Sequence, residues 1–188
     1  MGSVIQCFFL EPSDTVEESL RRYVFFKEGQ APIVCIGGKG YHDAEVTLGV
    51  IPWNDPETDG RGADDFDHAD PRWPKSCVCG YVFQPEDAWQ HNLTRRYVRK
   101  DTGEHMTLGA ATPGAMWYAD WCRFKGPDGH CLVVKTPAGD WLVDMPVRDG
   151  TPWSRTGTPP NVTANPSILF HGTPGYHGWL RDGKLVEC

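Results

Sequence analysis

Hydrophobic and polar positions along this chain alternate in short runs, and most of the runs end at glycine or proline. Residues 4–10 are β-branched and aromatic and stop at Glu11-Pro12, which predicts an opening strand. Thr15-Val16-Glu17-Glu18 fits the capping box that starts a helix, in which a hydroxyl and a carboxylate satisfy free amides. Val16, Leu20, Tyr23 and Val24 follow at i, i+4, i+7 and i+8, predicting one short amphipathic helix. Residues 33–36 and 44–51 read as strands, with Gly37-Gly38-Lys39-Gly40 between them.

Residues 54–70 break the pattern. They hold seven acids against one arginine and almost no aliphatic side chains, which predicts a long exposed loop or insertion. Cys77-Val78-Cys79-Gly80 then predicts a turn leading into a strand through Tyr81-Val82-Phe83. Residues 97–100 and 105–108 flank Asp101-Thr102-Gly103-Glu104 as a hairpin, and Thr112-Pro113-Gly114 starts a turn that presents Met116, Trp117 and Trp121. A second hairpin pairs residues 132–135 with 141–145 around Pro137-Ala138-Gly139-Asp140. Residues 148–166, rich in Gly, Pro, Thr and Asn, predict an irregular surface connection. The chain closes on Asp182-Gly183, the strongest short hairpin signal. A two-residue loop there sets Leu180 opposite Leu185, Trp179 opposite Val186 and His177 opposite Cys188.

Composition fits many short strands joined by turns. Gly and Pro make up about a fifth of the 188 residues, beside 8 Trp, 8 Phe and 6 Tyr that supply buried area without long helices. The net charge of −7 argues against a broadly basic nucleic-acid binder. No apolar run is long enough to span a bilayer as a helix. The first residues lack the basic and apolar regions of a signal peptide, so an unexported chain is expected. In that setting the 7 cysteines read as thiols or metal ligands rather than disulfides.

Leu20-Arg21-Arg22-Tyr23, Gly40-Tyr41-His42-Asp43-Ala44 and Cys79-Gly80-Tyr81-Val82-Phe83 resemble an uncharacterised family of small bacteriophage and prophage proteins. So do Pro113-Gly114-Ala115-Met116-Trp117, Gly126-Pro127-Asp128-Gly129, Pro166-Ser167-Ile168 and the run from Tyr176 to Gly183. The likeness covers nearly the whole chain and implies a phage or prophage origin, with no known activity. That family carries its first cysteine pair as C-x-x-C, whereas this chain has Cys77-x-Cys79.

The cysteines and histidines are the best chemical candidates. Structural zinc takes four nitrogen or sulfur ligands, commonly as two close pairs far apart in sequence. Cys77 and Cys79 make one pair, and Gly80 lets the backbone turn tightly beneath them. Cys35 and His42 make the other, with His91 or Cys122 as substitutes. With four protein ligands such a zinc is structural, because catalysis needs an open position.

Other chemistries are weaker. Asp55-Pro56-Glu57-Thr58-Asp59-Gly60 imitates half of an EF-hand loop, but position twelve is Phe66 and the bidentate ligand is missing. His130 and Cys131 are neighbours on a strand and point to opposite faces. His177 and Cys188 can meet, yet a terminal carboxylate beside the Cys188 thiol makes it a poor nucleophile. His42, Asp43 and His68 lack a metallohydrolase spacing, and no phosphate-binding glycine loop is present. Arg95, Arg96, Arg99 and Lys100 around Tyr97 form a basic-aromatic stretch that reads as a solvated face balancing nearby acids.

These observations predict a mainly β domain over residues 1–188. It has antiparallel hairpins, one short N-terminal helix, an exposed acidic loop at 54–70 and a zinc-stapled turn. The expected function is a phage-encoded, non-enzymatic binding or structural module, a virion accessory or host-interaction protein in the host cytoplasm or the virion. Its partner is expected to be a phage or host protein rather than nucleic acid or membrane. A metal-dependent hydrolase and a nucleic-acid-associated zinc protein are the alternatives.

Overall fold

The structure, a computed structural model, describes residues 2–24, 35, 41–53, 66–146 and 153–188. Of these, 56% lie in strands and none in a helix, so the chain is mainly β. Among the described residues no helix is long and apolar enough to cross a membrane. Two compact units form, Met1–Pro12 with Tyr97–Cys188, and Ser13–Arg96.

In the first unit, β1 (Val4–Gln6) pairs antiparallel with β12 (Lys184–Glu187). The five-stranded order continues through β11 (Tyr176–Arg181), β10 (Asn161–Phe170) and β9 (Ser154–Thr158). The turn between β11 and β12 has positive φ at both Asp182 (47°) and Gly183 (71°), the geometry of a type I′ hairpin. Leu180 pairs with Leu185 and Trp179 with Val186, and the Cys188 amide donates to the His177 carbonyl at 3.0 Å. The expected register therefore holds.

A second sheet in this unit runs through β6 (Ala115–Tyr118), β7 (Leu132–Thr136) and β8 (Gly139–Leu142). β6 pairs in parallel with Phe8 and Phe9, the first residues of β2 (Phe8–Val24). Alternation along β6 and β7 sends neighbouring side chains to two separate cores. Met116, Leu132 and Val134 pack with Val162, Leu180 and Leu185. Trp117 and Val133 pack with Phe8, Leu10 and Cys131. Burial on both faces explains why Leu132-Val133-Val134 is continuously apolar. The hairpin expected around 137–140 is present with a shorter loop. Thr136 pairs with Gly139 and Lys135 with Asp140, leaving only Pro137-Ala138 in the turn, and its second strand ends at Leu142 rather than running to 145. The one at 101–104 is also present, where Arg99 N donates to Glu104 O at 2.8 Å, joining the end of β4 (Ala88–Arg99) to β5 (His105–Thr107).

Residues 148–166 differ from the expected irregular connection. Residues 148–152 lie outside the described residues, but β9 and most of β10 occupy the rest, paired from Asn161↔Thr158 to Asn165↔Ser154. Val162 and Ala164 alternate inward to full burial, a period that the surrounding Thr, Asn and Pro residues conceal. Arg155 is buried with them, its side chain 1% exposed and paired with Asp144 at 2.8 Å and with Asp128.

In the second unit, β2 lies in the hydrogen-bonding order between β4 and β3 (His42–Pro52). The expected helix from Thr15 to Val24 is instead strand. Thr15 to Val24 pair antiparallel with Pro52 to His42, with one shift between Glu18 and Ser19. Val16 and Leu20, four residues apart, satisfy a helical face and a period of two equally well, and the sheet partners decide between them. The capping-box side chains do other work. The Thr15 hydroxyl shares a 2.9 Å hydrogen bond with Ser13, and the Glu18 carboxylate lies 2.8 Å from His91 Nε2. The strand expected at 44–51 lies within β3. Of the strand expected at 33–36 only Cys35 is described, and both Gly37–Gly40 and residues 54–65 of the acidic loop lie outside the described residues.

Candidate metal centre

The second unit holds a tight turn built on Lys75 to Phe83. Phe83 N donates to Lys75 O at 3.0 Å, Ser76 bridges Val82, and Cys77 N donates to Tyr81 O at 2.9 Å. These bonds replace the strand expected after Cys79. Gly80 N donates back to Cys77 O at 2.9 Å with φ at +91°, a left-handed conformation that glycine adopts without steric cost. The turn thereby presents Cys77 and Cys79 toward the start of β3, where His42 stands.

Cys35, His42, Cys77 and Cys79 converge there, with their ligand atoms all within 4.8 Å of one another. Cys35 Sγ lies 3.4 Å from Cys77 Sγ, and Cys79 Sγ lies 3.2 Å from His42 Nδ1. The sulfur separation is far beyond a disulfide bond of about 2.05 Å. It is close to the edge of about 3.8 Å that a tetrahedral metal with sulfurs at about 2.3 Å would set. The group could hold a metal ion, and among the described residues it is the only such cluster of three or more.

The surroundings of Cys77 favour its thiolate. Burial pushes the Cys77 thiol up. Against it, the Cys79 and Asp43 backbone amides and the Cys35 and Cys79 side chains together bring it down to about 6. The His42 ring is stacked on Tyr81, with centroids 4.2 Å apart and planes within 4°. The Tyr81 hydroxyl is itself held by Asp87 at 3.0 Å. Phe83, Val24 and Ala44 pack around the cysteines and limit water access.

The substitutes lie elsewhere. His91 bonds Glu18, and Cys122 packs beside Cys131 in the core of the first unit. Asp43 is paired with Arg21 at 2.7 Å, and His68 stacks on Trp89 at 4.5 Å, so His42, Asp43 and His68 do not assemble a hydrolytic site. In the basic stretch, the Arg95 guanidinium lies over Trp53. Arg99 pairs with Asp101 and lies over Phe8, and Lys100 pairs with Glu11. Alternation along β4 sends neighbouring cations to opposite faces. Tyr81, which orients His42, is a residue that sequence reasoning missed as part of the site. Its only signal is its place two residues after Cys79. Comparison with protein-family models, with curated proteins and with solved structures found no match.

Proposed function

We propose that this protein is a zinc-stapled binding module in which Cys35, His42, Cys77 and Cys79 hold one zinc ion. The observation that carries the reading is the convergence of three sulfurs and one imidazole nitrogen from three separate stretches of chain within 4.8 Å. Three thiolates and one imidazole match the ligand set of structural zinc, and four protein ligands leave no position open for water or substrate. The metal's role is then to fix the 75–83 turn against β3. Recognition falls to the loops and sheet surfaces that this fixes. The resemblance to phage and prophage proteins supports a phage-encoded module acting on a phage or host protein.

Cobalt substitution tests the coordination. A tetrahedral thiolate site gives cobalt(II) intense visible bands and a sulfur-to-metal charge-transfer band, both displaced by one equivalent of zinc. The weak absorption of a six-coordinate aquo-like ion would overturn the four-ligand centre. Hydrolysis of a phosphoester, peptide or glycoside by the zinc-loaded protein, abolished by a single His or Cys substitution that leaves it folded, would overturn the non-enzymatic reading.

A further inference from the structure

Beside the 75–83 turn, within the same unit, lies a cleft of about 510 Å³ lined by Arg22, Trp73, Lys75, Phe83 and Trp89 among others. Its volume falls in the range of small-molecule sites. Trp73 and Phe83 line the cleft but are only 5% and 7% exposed, and Trp73 Nε1 already donates to Asp67 O, so each adds a small apolar area beside exposed Val82. Trp89 meets Trp73 edge-on at 5.0 Å.

Arg22 is the unusual element. It is 4% exposed, and its guanidinium lies 3.4 Å above the Trp89 ring centre. Nη2 donates to Gln84 O at 2.6 Å, while Nε is buried without a partner. Burial pulls its pKa down, opposed by the charge of Asp87. Asp87, however, places its Oδ2 against the Tyr81 hydroxyl and the Gln84 amide. Asp70 at the cleft is likewise taken up by Arg72, at 2.8–3.2 Å. A buried cation without a bonded carboxylate is costly, and an incoming anion relieves that cost. Exposed Lys75 adds a second positive charge to the lining.

We propose that this cleft binds a small ligand carrying an anionic group, carboxylate or phosphate, on a flat apolar ring. The Trp89 faces are taken by Arg22 and His68. The anion therefore neutralises Arg22 and Lys75 while the ring packs on exposed Val82 and the small areas of Trp73 and Phe83 that line the cleft. The cleft and the metal centre share the 75–83 turn but no ligand residue, so binding is independent of which metal the cysteines hold.

The test is calorimetric titration of the protein as purified with phenyl phosphate and with benzoate, against benzyl alcohol and inorganic phosphate. One saturable site is expected for at least one aryl anion, about tenfold tighter than for the neutral alcohol or for phosphate alone. Preference for phenyl phosphate or for benzoate identifies the anionic group. Arg22→Gln is expected to lose about tenfold in affinity. Lys75→Glu, at an exposed position, is expected to weaken binding severalfold with an unchanged melting temperature, and it carries the test should Arg22→Gln fail to fold. The proposal is overturned if neither aryl anion saturates, if the alcohol binds as tightly, or if Lys75→Glu leaves affinity unchanged.

Discussion

Tyr81 lies flat against His42, their ring centroids 4.2 Å apart and their planes within 4°. The same turn that offers Cys77 and Cys79 thus also supplies the surface that orients the imidazole. His42 Nδ1 faces Cys79 Sγ at 3.2 Å, and the Tyr81 hydroxyl is anchored on Asp87. A ligand pre-set in this way loses less freedom when a metal binds, which is how outer groups tune metal affinity.

Tyr81→Leu therefore removes the stacking and the anchor while sparing all four ligands. The zinc dissociation constant is expected to rise at least about tenfold. Competition against a chromophoric chelator measures it, and an unchanged constant would show the stacking to be incidental.

The buried Arg155 makes stability depend on acid. Burial pushes the Asp128 carboxyl up. Hydrogen bonds from Arg155, Tyr118 and the His130 amide outweigh that, so Asp128 sits well below the usual carboxylate range. Its ionised form is favoured in the fold. The stabilisation is fully present above the unfolded value of about 4 and is lost as pH falls through the lower folded value. Asp128→Asn should melt lower than the wild-type chain at neutral pH, and the gap should close on acidification below about pH 4. A gap independent of pH would contradict this.

The C-terminal hairpin closes the first unit's core. Leu185 is fully buried opposite Leu180, packed with Met116 and Val134. Leu185→Ala is expected to cost about 2–5 kcal/mol, from lost transfer energy and the residual cavity. Urea denaturation reads this as a lower midpoint at unchanged slope, and a shift under about 1 kcal/mol would mark the hairpin as peripheral.

Elements specified by local chemistry were legible in the sequence. Asp182-Gly183 determines its own turn, and the register of Leu180, Trp179 and His177 follows from it. Cys77, Cys79 and Gly80 likewise announce a turn with two sulfurs on it, and the structure brings Cys35 and His42 to them. Elements specified by partners were not. Val16 and Leu20 suit a helix as well as a strand, and only pairing with β3 decides. The Arg155–Asp144–Asp128 group joins residues 11 and 27 positions apart, each of which reads alone as a surface charge. Arg22 gives no hint in sequence that it lies over Trp89, since 67 positions separate them.

On the proposal above, Cys35, His42, Cys77 and Cys79 hold one zinc ion as part of the fold. Elemental mass spectrometry on protein purified without chelator tests it most directly. The expected result is about one zinc per chain, with Cys77→Ser losing the metal and thermal stability together. A wild-type protein that carries only a substoichiometric trace of zinc, and melts at the same temperature with or without chelator, would contradict it.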